Sequence, residues 1–325
     1  MTGDDGRTLL TGWFSFVDGE ATAGDVLALE RVRALFAARG VPHDVAWSPR
    51  FEPRGPTLTE VDPTDYDRLV FVCGPLHGPD IAELHRRFAH CLRVAVGTSV
   101  IDPADPAAAG FHAVLARDGA GLAPALDLAL RAPRVRREPV VGLLLTEGQH
   151  EYRGRRRHAE VARTVTGWLA ESRVAPVVLE TRLDAADGRL CRSPGQLLSA
   201  LERLDAVVTD RLHGLVLGLR VGVPPIAVDP VAGGAKVTAQ ARACDWPALL
   251  PAERLDRPAL DHWLAWSLGP GRREALRRRV LLATARDPAN ALADLWHSSR
   301  DRRVDPDGRG YRTAATHGRP TVQEG

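Results

Sequence analysis

Residues 205–229 constrain this chain more than any other stretch. Asp205-Ala206-Val207-Val208-Thr209 is an apolar run that meets a polar junction, Asp210-Arg211-Leu212-His213-Gly214. Leu215 to Leu219 then recurs at helical spacing, and Gly222-Val223-Pro224 turns the chain into a second apolar run, Pro225 to Asp229. The order predicts a buried strand, a sharp junction, a helix and a second buried strand, the repeating unit of α/β folds. The junction falls at the carboxyl end of a strand, where such folds bind ligands and where a helix start leaves N–H groups free for anions. Arg211 brings a planar fork for phosphate or carboxylate, and His213 a proton that moves near neutral pH.

Length and composition narrow the class. A chain of 325 residues with 44% hydrophobic residues can bury a full core, and two domains are expected. A net charge of +2 does not mark a nucleic-acid binder, and the arginine clusters read as solvated faces and linkers. The four cysteines are scattered without a C-x-x-C pair, which fits a reducing compartment and argues against zinc or a disulfide scaffold. No leader segment and no apolar run of membrane-span length is legible, so the expected location is cytoplasmic. Lys236 is the only lysine among 43 basic residues. A chain that uses arginine everywhere else keeps one compact ammonium shortly after the Arg211–His213 junction, either by chance or because a tight site needs it.

Strands and helices alternate along the rest of the chain. The expected strands of the first half are Leu9–Phe16, Val45–Trp47, Arg68–Cys73 and Arg93–Val96, with helices over Val26–Arg39 and Ile81–Cys91. A connection rich in Pro and Arg at Arg131–Pro139 separates a domain at 1–134 from one at 135–297. The second half restarts with strands at Val140–Leu145 and Ala175–Leu179 and a helix at Arg155–Ser172. Ser193-Pro194 opens another helix, and three more are expected after Trp246. The polar tail at 298–325 is expected to be disordered.

With these residues in view, the chain resembles the polysaccharide pyruvyl transferase family. The resemblance is carried by Asp205–Gly214, the Gly222-Val223-Pro224 turn and Lys236-Val237. Gly24-Asp25, Val70–Gly74 and Leu115-Ala116-Arg117-Asp118 fall in the family's order with weaker similarity. It implies two Rossmann-like domains with mainly parallel sheets facing a central cleft, akin to GT-B glycosyltransferases. It also implies transfer of a pyruvyl group from phosphoenolpyruvate to a sugar or glycan as a ketal, with phosphate release, in polysaccharide biosynthesis for the cell envelope. Such a reaction needs a proton donor and cationic clamps, with phosphoenolpyruvate as donor substrate and no metal or resident cofactor.

The site expected on that basis has His213, Arg211 and Asp25 as catalytic residues. Lys236, Gly214, Arg153, Arg117, Gly24 and His77 are expected to bind substrate. Arg153 enters as the arginine nearest the end of the strand that opens the second half, which itself ends Leu144-Leu145-Thr146. His77 enters because it follows a strand end. Two structural alternatives stand beside these roles: Arg211 paired to Asp210 with His213 packed away, and Asp25 as a helix-capping acid. Departures from the family pattern, at Asp18–Asp25 and at Gly74–Gly78, lie mostly on the acceptor side. The other functional readings are a GT-B-type nucleotide-sugar glycosyltransferase and a non-catalytic binding paralogue.

Overall fold

The structure is a computed structural model and describes residues 6–119, 121–146 and 150–298. The chain divides into two compact units, Met1–Arg136 and Arg137–Gly325.

The first unit holds β1 (Thr8–Thr11), α1 (Ala23–Ala38), β2 (His43–Val45), β3 (Arg68–Val72), α2 (Pro79–Arg87), β4 (Leu92–Val96), β5 (Ser99–Val100), α3 (Pro106–Ala109), β6 (Ala113–Leu115) and β7 (Asp118–Gly119). Five of its strands form a parallel sheet in the order β2-β1-β3-β4-β6, and β5 pairs with β7. The second unit holds β8 (Val140–Leu144), α4 (His158–Glu171), β9 (Ala175–Val178), α5 (Pro194–Leu201), β10 (Ala206–Thr209), α6 (Leu212–Val221), β11 (Pro225–Asp229), α7 (Lys236–Ala243) and β12 (Leu249–Pro251). Helices α8 (Arg257–Leu268), α9 (Pro270–Ala283) and α10 (Pro288–Ser298) follow. Its parallel sheet runs β9-β8-β10-β11-β12.

The two sheets share one strand order. In each, the chain starts on one strand, steps to the edge, then returns past its start: β1 to β2 and back to β3, β8 to β9 and back to β10. Each sheet therefore has a switch point, between β1 and β3 and between β8 and β10, where neighbouring strands send their connections to opposite sides and leave a crevice at their carboxyl ends.

Local chemistry sets the elements. Thr22 caps α1, accepting the Asp25 N–H while the Asp25 carboxylate accepts the Thr22 N–H, a reciprocal capping box. Ser193 caps α5, with Pro194 at its first position. Every residue of β10 and β11 is buried, as a parallel sheet covered on both faces requires. Val208 and Ile226 face Val161, Val165 and Trp168 of α4. Val207 faces Leu197 and Leu201 of α5, and Ala227 packs with Leu215 and Leu219 of α6. At about 1.5–3 kcal/mol for each large apolar side chain removed from water, these layers hold the carboxyl edge in place.

The structure departs from the expected elements at several points. The strand expected at Leu9–Phe16 stops at Thr11, because Trp13–Ser15 curls into a 3₁₀ turn. The Ser15 hydroxyl accepts the Gly12 N–H and donates to the Ala46 carbonyl at 2.6 Å, giving those groups partners other than a sheet neighbour. Strands β6 and β12, three residues each, carried no sequence signal of their own; they close the two sheets. The expected tail lies outside the described residues except at Ser298, the last residue of α10.

Candidate functional site

At the switch point of the second unit, β8 runs out through Leu144-Leu145-Thr146 and β10 through Thr209-Asp210-Arg211. Thr209 fixes the junction: its hydroxyl donates to the Leu144 carbonyl at 2.9 Å and accepts the Arg211 N–H at 3.0 Å. Gly214, in the first turn of α6, is buried against that threonine, and a Cβ there would stand 2.1 Å from Thr209 Oγ1. The glycine expected to bind substrate instead lets the helix approach the strand.

Arg211 is the residue at which α6 starts, and no side chain caps that helix. The N–H groups of its first turn are left to whatever occupies the crevice. The guanidinium is half-buried and engaged. Nε donates to the Leu145 carbonyl at 3.1 Å, Nη1 to Thr181 Oγ1 at 3.0 Å and Nη2 to Glu180 Oε2 at 3.0 Å. Nη1 also lies 2.8 Å from Glu180 Oε1. The partner is thus Glu180, on the segment after β9, and not Asp210. His213, the second residue of α6, is exposed.

Asp210 is 1% exposed and neither carboxylate oxygen has a hydrogen-bond partner. Burial pushes its carboxyl up to about 7, against the opposing pull of the Thr146 N–H and hydroxyl, which lie close to it but outside good hydrogen-bond geometry, and of the Arg211 charge. A carboxyl that titrates near neutrality thus lies beneath the crevice.

Lys236 is the first residue of α7, on the loop after the neighbouring strand β11. Asp229, fully buried, shapes that loop: its Oδ2 accepts the N–H groups of Ala235 and Thr238 at 2.7 and 2.8 Å, and its Oδ1 that of Val231 at 3.1 Å. Gly233 and Gly234 take φ of 76° and 80°, the left-handed region that glycine enters freely. Among the described residues no carboxylate forms an ion pair with Lys236, and no hydrogen bond joins it to Arg211 or His213. These three residues share the carboxyl edge of one sheet without touching.

Arg153 is exposed and sits at φ 45° in the segment that leads into α4. That segment is strapped to the loop after β11. Arg156 pairs with Val231, the Arg157 N–H donates to the Pro230 carbonyl, and the Arg155 guanidinium donates to the carbonyls of Ala232 and Gly234.

In the first unit the carboxyl ends of β1 and β3 carry a second polar cluster. Cys73 follows β3 at φ 65°, buried, and its thiol is pushed up to about 11 by burial and by hydrogen bonding to the Asp25 carboxylate. Arg117 is fully engaged. Its Nε reaches Asp118 at 2.7 Å, Nη1 reaches Asp127 at 2.7 Å and Nη2 reaches Ser99 Oγ at 2.8 Å, with Cys73 Sγ at 3.8 Å. It ties loops together rather than presenting an open fork. Asp25 caps α1 as the structural alternative held, and its carboxylate also reaches Cys73. Gly24 is exposed, and a Cβ there would meet only Thr22 Oγ1 at 3.6 Å, so no close approach demands a glycine. His77 is exposed, with its ring 5.4 Å from that of Trp13, whose Nε1 donates to the Pro75 carbonyl at 3.0 Å. Asp25 and Arg117 therefore meet at Cys73, and His77 stands on Trp13.

Sequence reasoning missed Glu180, Thr181, Asp210 as an isolated acid, His158 and Cys73. Position could have found several of them. Glu180-Thr181 follows a strand just as Asp210-Arg211 does, and the ends of adjacent parallel strands share one edge.

Residues 171–230 match the family model described as polysaccharide pyruvyl transferase. The matched segment runs from the end of α4 to just past β11 and contains Glu180, Asp210, Arg211 and His213. It supports a polysaccharide-modifying transferase. No curated protein matches the chain. Solved structures similar to it include the glycosyltransferase of kitacinnamycin (14% identity, TM-score 0.34, 90% of this chain and 98% of the other). Another is glycosyltransferase SnogD from Streptomyces nogalater (14%, 0.30, 90% and 99%), and a third is the E. coli heptosyltransferase WaaC with ADP (15%, 0.26, 82% and 99%).

Proposed function

We propose that this protein transfers the pyruvyl group of phosphoenolpyruvate to two hydroxyls of a sugar or glycan, forming a cyclic ketal and releasing phosphate. The observation that carries the proposal is the family match over 171–230, which falls on the strand ends and helix start that build the second unit's crevice.

The chemistry asks for few parts. The methylene carbon of the enol takes up a proton and becomes the methyl group. A sugar hydroxyl oxygen bonds to the central carbon, phosphate leaves with the C–O bond pair, and a second hydroxyl closes the ring. Of the two hydroxyl protons released, one balances the proton taken up and the other leaves on phosphate.

In the second unit, Arg211 and the uncapped N–H groups of α6 receive the donor carboxylate. His213 delivers the proton or holds phosphate as the imidazolium. Lys236 supplies a further cation, and its ammonium cannot be replaced by a bulkier guanidinium in a tight site. The first unit takes the acceptor, with Asp25 as the carboxylate that binds an acceptor hydroxyl and His77 at the same strand ends. Arg117 acts in the first unit through loop anchoring, and Gly214 in the second through packing of α6 on Thr209.

The test is a phosphate-release assay with phosphoenolpyruvate and a panel of glycans, sugars and sugar nucleotides as acceptors. Acceptor-dependent release supports the proposal. Binding and turnover of a nucleotide sugar in its place would establish glycosyl transfer, and ligand binding with no turnover a binding paralogue.

A further inference from the structure

His158 stands apart from the donor and acceptor groups of the proposed reaction, and its surroundings give it a role. It is the first residue of α4, it is 3% exposed, and neither ring nitrogen has a hydrogen-bond partner. An imidazole always carries at least one N–H, and native structures keep a buried polar group unpaired where a water, an ion or a ligand completes it.

The groups around the ring say which kind. The backbone strap described above, Arg156 on Val231 and Arg157 N–H on the Pro230 carbonyl, fixes the start of α4 against the loop that leads to Lys236. Burial first, then Arg156 and Lys236, hold the His158 ring neutral, while Asp229 and Glu151 act in the opposite sense. Asp229 is spent on three backbone N–H groups, so its charge is already met. The start of α4 is uncapped: Arg157 makes no side-chain cap and pairs with Glu160. The N–H groups of the first turn therefore remain open to an anion. The uncapped start of α4, its unpaired buried imidazole and the loop that leads to the Lys236 ammonium thus adjoin at the carboxyl edge. The neutral ring suits that company, since it donates an N–H to an anion without burying another cation beside Lys236.

We propose that His158, Lys236 and the amino end of α4 form a binding pocket for a phosphoryl group. Lys236 and the helix N–H groups neutralise the anion, and the His158 ring N–H fixes one of its oxygens. Identifying the group with the phosphate of phosphoenolpyruvate rests on the pyruvyl-transfer reading; the pocket itself does not. In that reading the carboxylate goes to Arg211 and the phosphate to Lys236, which gives the single lysine a task distinct from that of the arginine.

The experiment titrates the full chain with inorganic phosphate, following thermal stability and the imidazole nitrogen resonances of His158 by long-range proton–nitrogen NMR. Phosphoenolpyruvate and a nucleoside diphosphate are run as parallel arms. The expected result is saturable stabilisation, movement of the His158 ring resonances, and phosphate affinity at least tenfold weaker in Lys236→Met and in His158→Gln. Should His158→Gln fail to fold, Lys236→Met and the wild-type resonances still decide. Phosphate that does not bind, or that binds both variants as it binds the wild type and leaves His158 unmoved, overturns the pocket. If phosphate and phosphoenolpyruvate bind through it but no acceptor is pyruvylated, the pocket stands and the pyruvyl-transfer reading falls. If phosphoenolpyruvate is consumed and both variants keep the wild-type donor KM, the pocket alone falls. Binding of the nucleoside diphosphate through it, with no binding of phosphoenolpyruvate, moves the phosphoryl group to a nucleotide donor.

Discussion

Arg211 and Glu180 form an ion pair, Nη1 to Oε1 at 2.8 Å, between the ends of two strands on either side of β8. In the proposed reaction the donor carboxylate takes the place of Glu180 on the guanidinium. A ligand must therefore displace Glu180 or share Arg211 with it. Both side chains are partly exposed, so the pair itself contributes about 1 kcal/mol or less to stability.

Glu180→Gln is accordingly expected to lower the KM for phosphoenolpyruvate several-fold, with kcat little changed, because it removes a competitor for the guanidinium. Arg211→Ala removes the fork and should reduce kcat/KM by about 2–4 kcal/mol, roughly 30- to 1000-fold. Steady-state kinetics of both variants check the pair. A higher KM in Glu180→Gln would mean that Glu180 positions Arg211 for the ligand rather than competing with it.

The orphaned carboxyl of Asp210 makes a prediction about pH. Its carboxyl is raised from 3.8 to about 7 in the fold, so between those values the folded state binds more protons than the unfolded state. Stability should fall as pH rises through that window and level off above about 7, by up to about 4 kcal/mol for this group. Asp210→Asn removes the linkage, and urea unfolding should show its advantage over the wild type growing from about 1.5 kcal/mol at pH 5 to about 4 kcal/mol at pH 8. Parallel pH dependence in the two proteins would show that Asp210 is not the titrating group.

Gly214 is expected to resist substitution for steric reasons. In Gly214→Ala the new methyl group meets Thr209, whose hydroxyl is already committed to the Leu144 carbonyl and the Arg211 N–H. Loss of about 1–3 kcal/mol in chemical denaturation is expected. An unchanged denaturation midpoint would mean that α6 shifts without cost.

Asp25 separates capping from chemistry. Asn at this position can still accept from Thr22, whereas Ala cannot, so Asp25→Ala should lose about 0.5–2 kcal/mol of stability and Asp25→Asn much less. If Asp25 also binds the acceptor hydroxyl as a carboxylate, both variants raise the acceptor KM. Full activity in Asp25→Asn would leave Asp25 with its capping role alone.

The strand–helix alternation and the Asp205–Asp229 segment were legible in the sequence because parallel strands buried on both faces are nearly continuous apolar runs, and because Ser193-Pro194 and Gly222 mark helix ends chemically. Strands of three residues such as Ala113–Leu115 and Leu249–Pro251 were not, since so short a run has no period to detect. The residue types of the site were visible, but their partners were not. Whether Arg211 meets Asp210 or Glu180 is decided by which strand ends adjoin, a long-range fact of sheet order. Arg117 looked like a ligand fork for the same reason: the carboxylate of Asp127 and the hydroxyl of Ser99 reach it only through the fold.

Pyruvyl transfer at the second unit's crevice is read out by proton NMR of the acceptor after incubation with phosphoenolpyruvate. A new methyl singlet from a pyruvyl ketal, appearing in step with phosphate release in the wild type and lost in Arg211→Ala, is the predicted result. Saturating phosphoenolpyruvate that neither binds nor is consumed with any acceptor, or a ketal formed as fast by Arg211→Ala as by the wild type, would contradict it.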